Sequence, residues 1–208
     1  FCGTVVEIGS AVTQVQLGDY VSGDSHVVCG RCFQCRTGRA HLCQNTQILG
    51  VDRDGCWAEY IALPAAGLWI NPPTLPLEFA SLQDNFGNAV HTAFSTQMAN
   101  RRVLVTGCGP VGLMAISVAR AIGARLIFAT DLSDYHLDLA KQMGADYVYN
   151  VTREDMYAAI MEKTDGEGVD VLLEMSGAAA AMDQGFSVLT YGGEVALLGL
   201  LPKPLLFD

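Results

Sequence analysis

From Val103 to Leu198 the sequence alternates between two hydrophobic rhythms, and that alternation limits the possible folds more than any other feature. Val103-Leu104-Val105-Thr106 is an apolar, β-branched run, of the kind buried on both faces of a parallel sheet. A helix is expected over about 111–122, a strand over Leu126–Thr130, a helix over about 134–143 and a short strand over Tyr147–Asn150. A helix over about 153–163, a strand over Val169–Glu174, a helix over about 178–190 and a strand over Glu194–Leu198 follow. Strands alternating with helices make βαβ units, so the expected class is α/β with a doubly wound parallel sheet. No internal repeat or low-complexity tract interrupts the pattern.

Gly107-Cys108-Gly109-Pro110-Val111-Gly112 fits G-x-G-x-x-G between the first of these strands and the first helix. The pattern alone is weak; a strand before it and a helix after it give it meaning. Gly107 permits the tight turn, Gly109 lets a pyrophosphate approach the backbone, and Gly112 lets helix and strand pack closely. The helix N-terminus offers free N–H groups and a positive dipole end. Asp131 closes the second strand, placed to accept hydrogen bonds from adenosine ribose hydroxyls and to repel a 2′-phosphate. Leu132 and Ser133 add no arginine to hold that phosphate, so NAD is expected over NADP. The competing use is a glycine turn and a capping Asp with no ligand. Leu198-Gly199-Leu200 closes the fifth strand, on the side expected to face a nicotinamide.

Residues 1–76 read differently. Thr4–Ile8 and Tyr20–Ser22 look like strands, with turns at Gly9-Ser10 and Gly18-Asp19. Trp57–Ala62 alternates in character after the turn dipeptide Asp54-Gly55. A small β-barrel with an inserted loop is expected, ending at Asn71-Pro72-Pro73 and Pro76. Residues 77–99 read as two helical pieces broken near Asn85-Phe86-Gly87. The expected domains are therefore 1–76 and 77–208.

The inserted loop carries Cys29, Cys32, Cys35 and Cys43, spaced C-x2-C-x2-C-x7-C. Four thiolates this close suit one tetrahedral Zn²⁺, and a four-cysteine site has no open position, so the expected role is structural. Two disulfides or an iron–sulfur cluster are the other uses of such spacing. The remaining thiols, Cys2, Cys56 and Cys108, read as reduced, which with the absence of a visible signal peptide makes the cytoplasm the expected location. Cys2 reads as a small apolar strand residue and Cys56 and Cys108 as packing or turn positions. A net charge of −10 argues against nucleic acid, although Arg31, Arg36 and Arg39 rim the cysteine loop. No apolar run approaches the length of about 18 residues that would suggest a membrane span.

The runs CGRCFQCRTGRAHLCQNT, GCWAEY, GNAVHT, GCGPVGLMA and LEMSGA resemble the zinc-containing medium-chain alcohol dehydrogenases. The resemblance covers nearly the whole chain. It implies a partial GroES-like β-barrel domain with structural zinc on Cys29, Cys32, Cys35 and Cys43, and a Rossmann domain binding NAD. It further implies a small secondary-alcohol substrate, a homo-oligomer, and a second, catalytic zinc acting as a Lewis acid. By position, Val111, Asp131 and Leu198–Leu200 match NAD contacts, and His136 stands where an Arg is common. Asp84 matches an acidic residue that assists the proton relay beside the catalytic zinc, and His26 a histidine of the substrate pocket. His41 and His91 read as surface and structural.

The departures from the family pattern are specific. The family's catalytic zinc is held by an upstream Cys and by a His-Glu pair that would directly precede Phe1, and its relay Thr and His also lie upstream. At the other end, Phe207-Asp208 falls before a sixth Rossmann strand, and Asn85 replaces a usual Pro. The chain thus reads as a shortened or partial member. A rival expectation is an NAD-binding protein that keeps fold and structural zinc without the catalytic zinc.

Overall fold

The structure, a computed structural model, describes residues 1–201; the expected chain end at Phe207-Asp208 lies outside them. Two compact units divide the chain, one of Phe1–Asp84 and one from Asn85 onward.

The first unit is built on two small sheets. Strands β1 (Cys2–Thr4), β2 (Tyr20–Gly23) and β5 (Leu68–Ile70) form an antiparallel sheet in the order β1-β2-β5. Strands β3 (His26–Val27) and β4 (Gln47–Ile48) pair antiparallel beside the cysteine loop, which contains the single-turn helix α1 (Phe33–Arg36). A second short helix, α2 (Leu77–Ala80), is tied to β2 by the buried Ser22 hydroxyl, which donates to Ala80 O at 2.8 Å and accepts from Asn71 Nδ2 at 2.8 Å.

Three expectations fail in this unit or at its edge. The first strand is Cys2–Thr4, not Thr4–Ile8. Val5 N still donates to Asp19 O, but beyond it the chain turns away and leaves Val6 exposed. Trp57–Ala62 is not a strand. Its alternation has no neighbouring strand to hydrogen-bond, and Trp57 and Tyr60 are exposed; an unpaired extended segment is not stable as sheet. The helical stretch breaks at Ser81-Leu82, so α3 (Gln83–Phe94) runs unbroken through Asn85-Phe86-Gly87. Gly87 costs such a helix about 1 kcal/mol, which burial of Ala89 and Ala93 in the core outweighs.

The second unit is the expected doubly wound sheet. Its strands are β6 (Arg102–Thr106), β7 (Leu126–Asp131), β8 (Tyr147–Asn150), β9 (Val169–Glu174) and β10 (Leu189–Leu197). All neighbours pair parallel, in the order β10-β9-β6-β7-β8. Helices α4 (Pro110–Ile122), α5 (Asp134–Gln142), α6 (Met156–Lys163) and α7 (Ala179–Ser187) connect them. Period-two alternation sends Val103, Val105, Ile127, Ala129, Val171 and Leu173 to one face, where α4 contributes Ala115, Ile116 and Ala119. It sends Leu104, Phe128 and Leu172 to the other, against Met156 and Ile160 of α6. With both faces covered, every residue of β6 is buried, which is why its sequence reads as one continuous apolar run. Helix α6 starts later than expected because Asp155 caps it, accepting from Ala158 N at 3.1 Å. Strand β10 starts earlier, at Leu189, with an irregular register before Glu194. Among the described residues no helix is long and apolar enough to cross a membrane.

Arg102 opens β6 and is held by Asp170 of β9. Its Nε and Nη2 donate to the two carboxylate oxygens at 2.9 and 2.8 Å, and its backbone N donates to one of them at 2.8 Å. Those bonds hold the Asp170 carboxyl below its usual range. A depressed native pKa adds stability that is complete above the unfolded value of about 3.9 and is lost as pH falls through the native value. Asp170→Asn should therefore cost about 2 kcal/mol at pH 7 in denaturant unfolding. The gap to the parent chain should narrow below about pH 4.

Candidate functional site

The expected phosphate turn sits at the carboxyl end of β6, where the strand order reverses from β7 on one side to β9 on the other. Crevices at such switch points are the ligand sites of open α/β sheets. Gly107 has φ +85°, a left-handed conformation that suits glycine, and a Cβ there would meet Ser176 Cβ at 2.8 Å. A Cβ on Gly112 would run into the Gly107 carbonyl oxygen. At Gly109 the case reverses: nothing lies within 4 Å of a Cβ position. The turn is therefore packed shut on its protein side and open at Gly109, a cradle of the shape a diphosphate fills. Pro110 and Val111 begin α4, whose first-turn N–H groups lack helical partners.

Asp131 is brought to this turn, and it does more than sequence reasoning assigned to it. Its Oδ2 accepts from Cys108 N at 2.7 Å, and its Oδ1 accepts from Ser133 N at 2.8 Å. His136 Nδ1 lies 3.2 Å from the same Oδ1. The carboxylate side chain is 13% exposed and the imidazole 41%. Asp131 thus anchors the glycine turn and still presents an edge beside His136. Cys108 is buried, its Sγ donating to Thr130 O at 3.6 Å, and burial pushes its thiol up to about 12. It packs the turn, as expected, and is not a nucleophile at neutral pH.

Leu198, Gly199 and Leu200 lie on the other side of the switch point. Leu198 N and Gly199 N donate to Glu174 O at 3.0 and 3.1 Å. A Cβ on Gly199 would strike Glu174 Oε2 and Gly177 N. Glu174 itself is fully buried. Its Oε1 accepts from Ser176 N at 2.9 Å, Gly177 N at 3.0 Å, Thr106 Oγ1 at 3.4 Å and, closely, Ser176 Oγ. Glu174 and Ser176 were not among the expected site residues. The available signal was an acid ending the apolar run of β9, at the carboxyl edge of the sheet.

In the first unit the four loop cysteines converge. Their ligand atoms all lie within 4.8 Å of one another. Cys32 Sγ is 3.5 Å from Cys35 Sγ and 3.9 Å from Cys43 Sγ. Four bonds of about 2.3 Å in a tetrahedron place sulfurs roughly 3.8 Å apart, whereas a disulfide needs about 2.05 Å. All seven cysteines are unbridged. Backbone N–H groups of Arg31 and Cys32 lower the Cys29 thiol to about 6. Burial, then the neighbouring thiols, push Cys35 up to about 12. The backbone N–H of Cys35 lowers the Cys32 thiol as well, so two of the sulfurs are held toward the thiolate form that a divalent cation binds. Cys29 N and Asn45 N also donate to Cys43 Sγ, each at 3.3 Å, so sulfur charge is met by backbone.

His26 and Asp84 are brought together through Ser25. Ser25 Oγ lies 3.2 and 3.3 Å from the two Asp84 oxygens and 3.1 Å from His26 Nδ1, while Ser25 N donates to Asp84 Oδ1 at 3.1 Å. Asp24 Oδ1 accepts from His26 N at 2.7 Å and is 3.3 Å from His26 Nδ1. Ser25 and Asp24 were missed because a lone Asp-Ser-His run carries no signal until Asp84 arrives from far along the chain. Among the described residues, His41, His91, Cys2 and Cys56 join neither the cysteine cluster nor this one.

Comparison with known proteins bears on both units. Residues 1–73 match the family model of the alcohol dehydrogenase GroES-like domain, and residues 110–208 that of the zinc-binding dehydrogenases. The chain is 49% identical over 206 residues to an L-threonine 3-dehydrogenase of Pyrococcus horikoshii, covering 99% of this chain and 59% of that one. It is 44% identical to that of Bacillus subtilis, covering 100% and 60%. A Sinorhizobium meliloti structure described as a zinc-binding dehydrogenase bound to NADP superposes with a TM-score of 0.93 at 32% identity, covering 100% of this chain and 62% of that one. An Escherichia coli alcohol dehydrogenase complexed with NADH superposes with a TM-score of 0.90 at 26% identity, covering 98% and 60%. The chain thus spans about three-fifths of the length of the curated relatives it matches.

Proposed function

This chain belongs to the zinc-containing medium-chain alcohol dehydrogenases, and on that premise we propose that it serves NAD-dependent oxidation of a secondary alcohol, with L-threonine as substrate and 2-amino-3-oxobutanoate as product. The observation that carries the reading is the cradle at Gly107–Gly112 with Asp131 locked to it through Cys108 N. NAD, when bound, would supply the acceptor for the hydride of the carbinol carbon. The chain's own residues hold that cofactor. The N-terminus of α4 faces the diphosphate, Val111 among its first residues, and Asp131 with His136 takes the adenosine ribose. Leu198, Gly199 and Leu200 seat the nicotinamide end. The fold accommodates either cofactor, as the NADP-bound and NADH-bound relatives illustrate. The Asp131 carboxylate favours NAD here by repelling a 2′-phosphate.

Asp84, Ser25 and His26 form a proton path. A proton taken up by the Asp84 carboxylate can be handed through the Ser25 hydroxyl to His26 at the surface, all within the first unit. The four cysteines would hold one structural zinc that shapes the loop and, having no open position, would take no part in the chemistry. Unbridged thiols throughout suit a reducing compartment, the cytoplasm.

Titration calorimetry with NAD⁺ and NADP⁺, followed by an NADH-formation assay with L-threonine, tests the reading. NAD⁺ should bind at least about tenfold more tightly than NADP⁺, since one unit of discrimination is about 1.4 kcal/mol. Absence of binding by either dinucleotide would refute the reading. Binding without NADH formation would reduce the chain to the rival, an NAD-binding protein without turnover.

A further inference from the structure

Glu174 is a fully buried acid that the proposed chemistry does not use. Its side chain takes N–H and O–H donors from Ser176, Gly177 and Thr106, the set a carboxylate accepts, and every one of those donors is neutral. Most converge on Oε1. Oε2 receives only the shared Gly177 N–H, at 3.2 Å, and lies directly behind the Gly199 backbone. A buried charge with neutral partners alone is costly, and a cation brought near it is correspondingly favoured. Burial also leaves its field less screened than that of a surface charge.

Position then specifies the cation. The phosphate turn follows β6 and Asp131 ends β7, so the adenosine half lies on that side of the switch point. The other half falls over the carboxyl ends of β9 and β10 and the residues that follow them, Met175–Gly177 and Leu198–Leu200. A nicotinamide ring carries a formal positive charge when oxidised and none when reduced. We propose that Glu174 is the residue that sets the preference between oxidised and reduced cofactor, its buried carboxylate favouring the cationic nicotinamide through the Gly199 backbone. The inference rests on the reading that the nicotinamide end is seated on Leu198–Leu200. The residue touches no reacting atom; it tunes the bound cofactor's charge balance. Because NADH lacks the charge, its release after turnover is eased.

Glu174→Gln keeps the shape and removes the charge. Fluorescence and calorimetric titrations of parent and variant with NAD⁺, NADH and ADP-ribose provide the readout. NAD⁺ affinity should fall about tenfold relative to NADH, a charge effect at partly screened range. ADP-ribose, which lacks the ring, should bind within about twofold of the parent. Parallel weakening of NAD⁺ and NADH, or an unchanged ratio, would show that Glu174 only holds its loop and would overturn the inference. If the variant does not fold, the parent chain supplies the test. A dinucleotide with a neutral benzamide ring in place of nicotinamide should bind about tenfold more weakly than NAD⁺, and equal affinity overturns the inference. Failure of the parent chain to bind ADP-ribose or any dinucleotide would refute the cofactor reading itself, an outcome distinct from an unchanged ratio.

Discussion

Alanine at Gly109 is expected to leave the fold intact and to reduce NAD⁺ affinity by about 100-fold or more, because a methyl there stands where the diphosphate must approach the backbone. Gly109 has φ −67° and an extended ψ, a conformation any residue adopts, and the space around its Cβ position is open. Its thermal midpoint should therefore stay within about 2 °C of the parent, as for a surface substitution. Gly112→Ala provides the contrast. Its methyl is driven into the Gly107 carbonyl oxygen, which is backbone and cannot swing aside. That variant should lose about 2 kcal/mol of stability together with its cofactor. Two methyl groups within one short turn thus separate space kept for a ligand from space kept for packing. Melting curves and titrations on the same two preparations check both. Equal NAD⁺ affinity in Gly109→Ala and parent would mean the open side of the turn holds nothing.

The second large effect concerns the cysteine loop. Cys43 is buried and its sulfur gathers contacts from Cys29 N, Asn45 N and Cys32 Sγ. Replacing it with serine removes one of four thiolates from a closed site. Zinc content should fall from one per chain to near zero by metal analysis, since structural sites of this kind draw about 10–16 kcal/mol from a full ligand set. The loop from Cys29 to Thr46 contains only α1, one short 3₁₀ turn and no long strand. Without the ion it should become the first site of proteolytic cleavage. NAD⁺ affinity should change by less than about threefold, because the residues assigned to the cofactor lie in the second unit. One zinc retained by Cys43→Ser would show that the four sulfurs are not the ligand set.

The parallel sheet was legible because burial on both faces forces each strand to be apolar throughout. Tyr147–Asn150 and Val169–Glu174 lie where their hydrophobic runs place them. The glycine turn was legible because each glycine answers a separate steric demand, and the cysteine loop because metal geometry fixes its spacing. What escaped depends on partners distant in sequence. Trp57–Ala62 alternates like a strand but has no strand beside it. The helix through Gly87 is held by core burial of Ala89 and Ala93, which no local propensity reveals. Ser25 acquires meaning only when Asp84 arrives beside it from 59 residues away. Glu174 ends an apolar strand and reads as a simple strand terminus until Thr106, Ser176 and Gly199 close around it.

The claim on which the rest depends is that a dinucleotide lies across the switch point with its diphosphate on the glycine turn. A crystal structure of the chain grown with millimolar NAD⁺ measures this directly. The expected result is diphosphate oxygens about 3 Å from the backbone nitrogens of the first turn of α4, with the adenosine ribose on Asp131 and the nicotinamide over Leu198–Leu200. A crevice left empty at that concentration, or NAD⁺ seated elsewhere on the chain, would contradict the account.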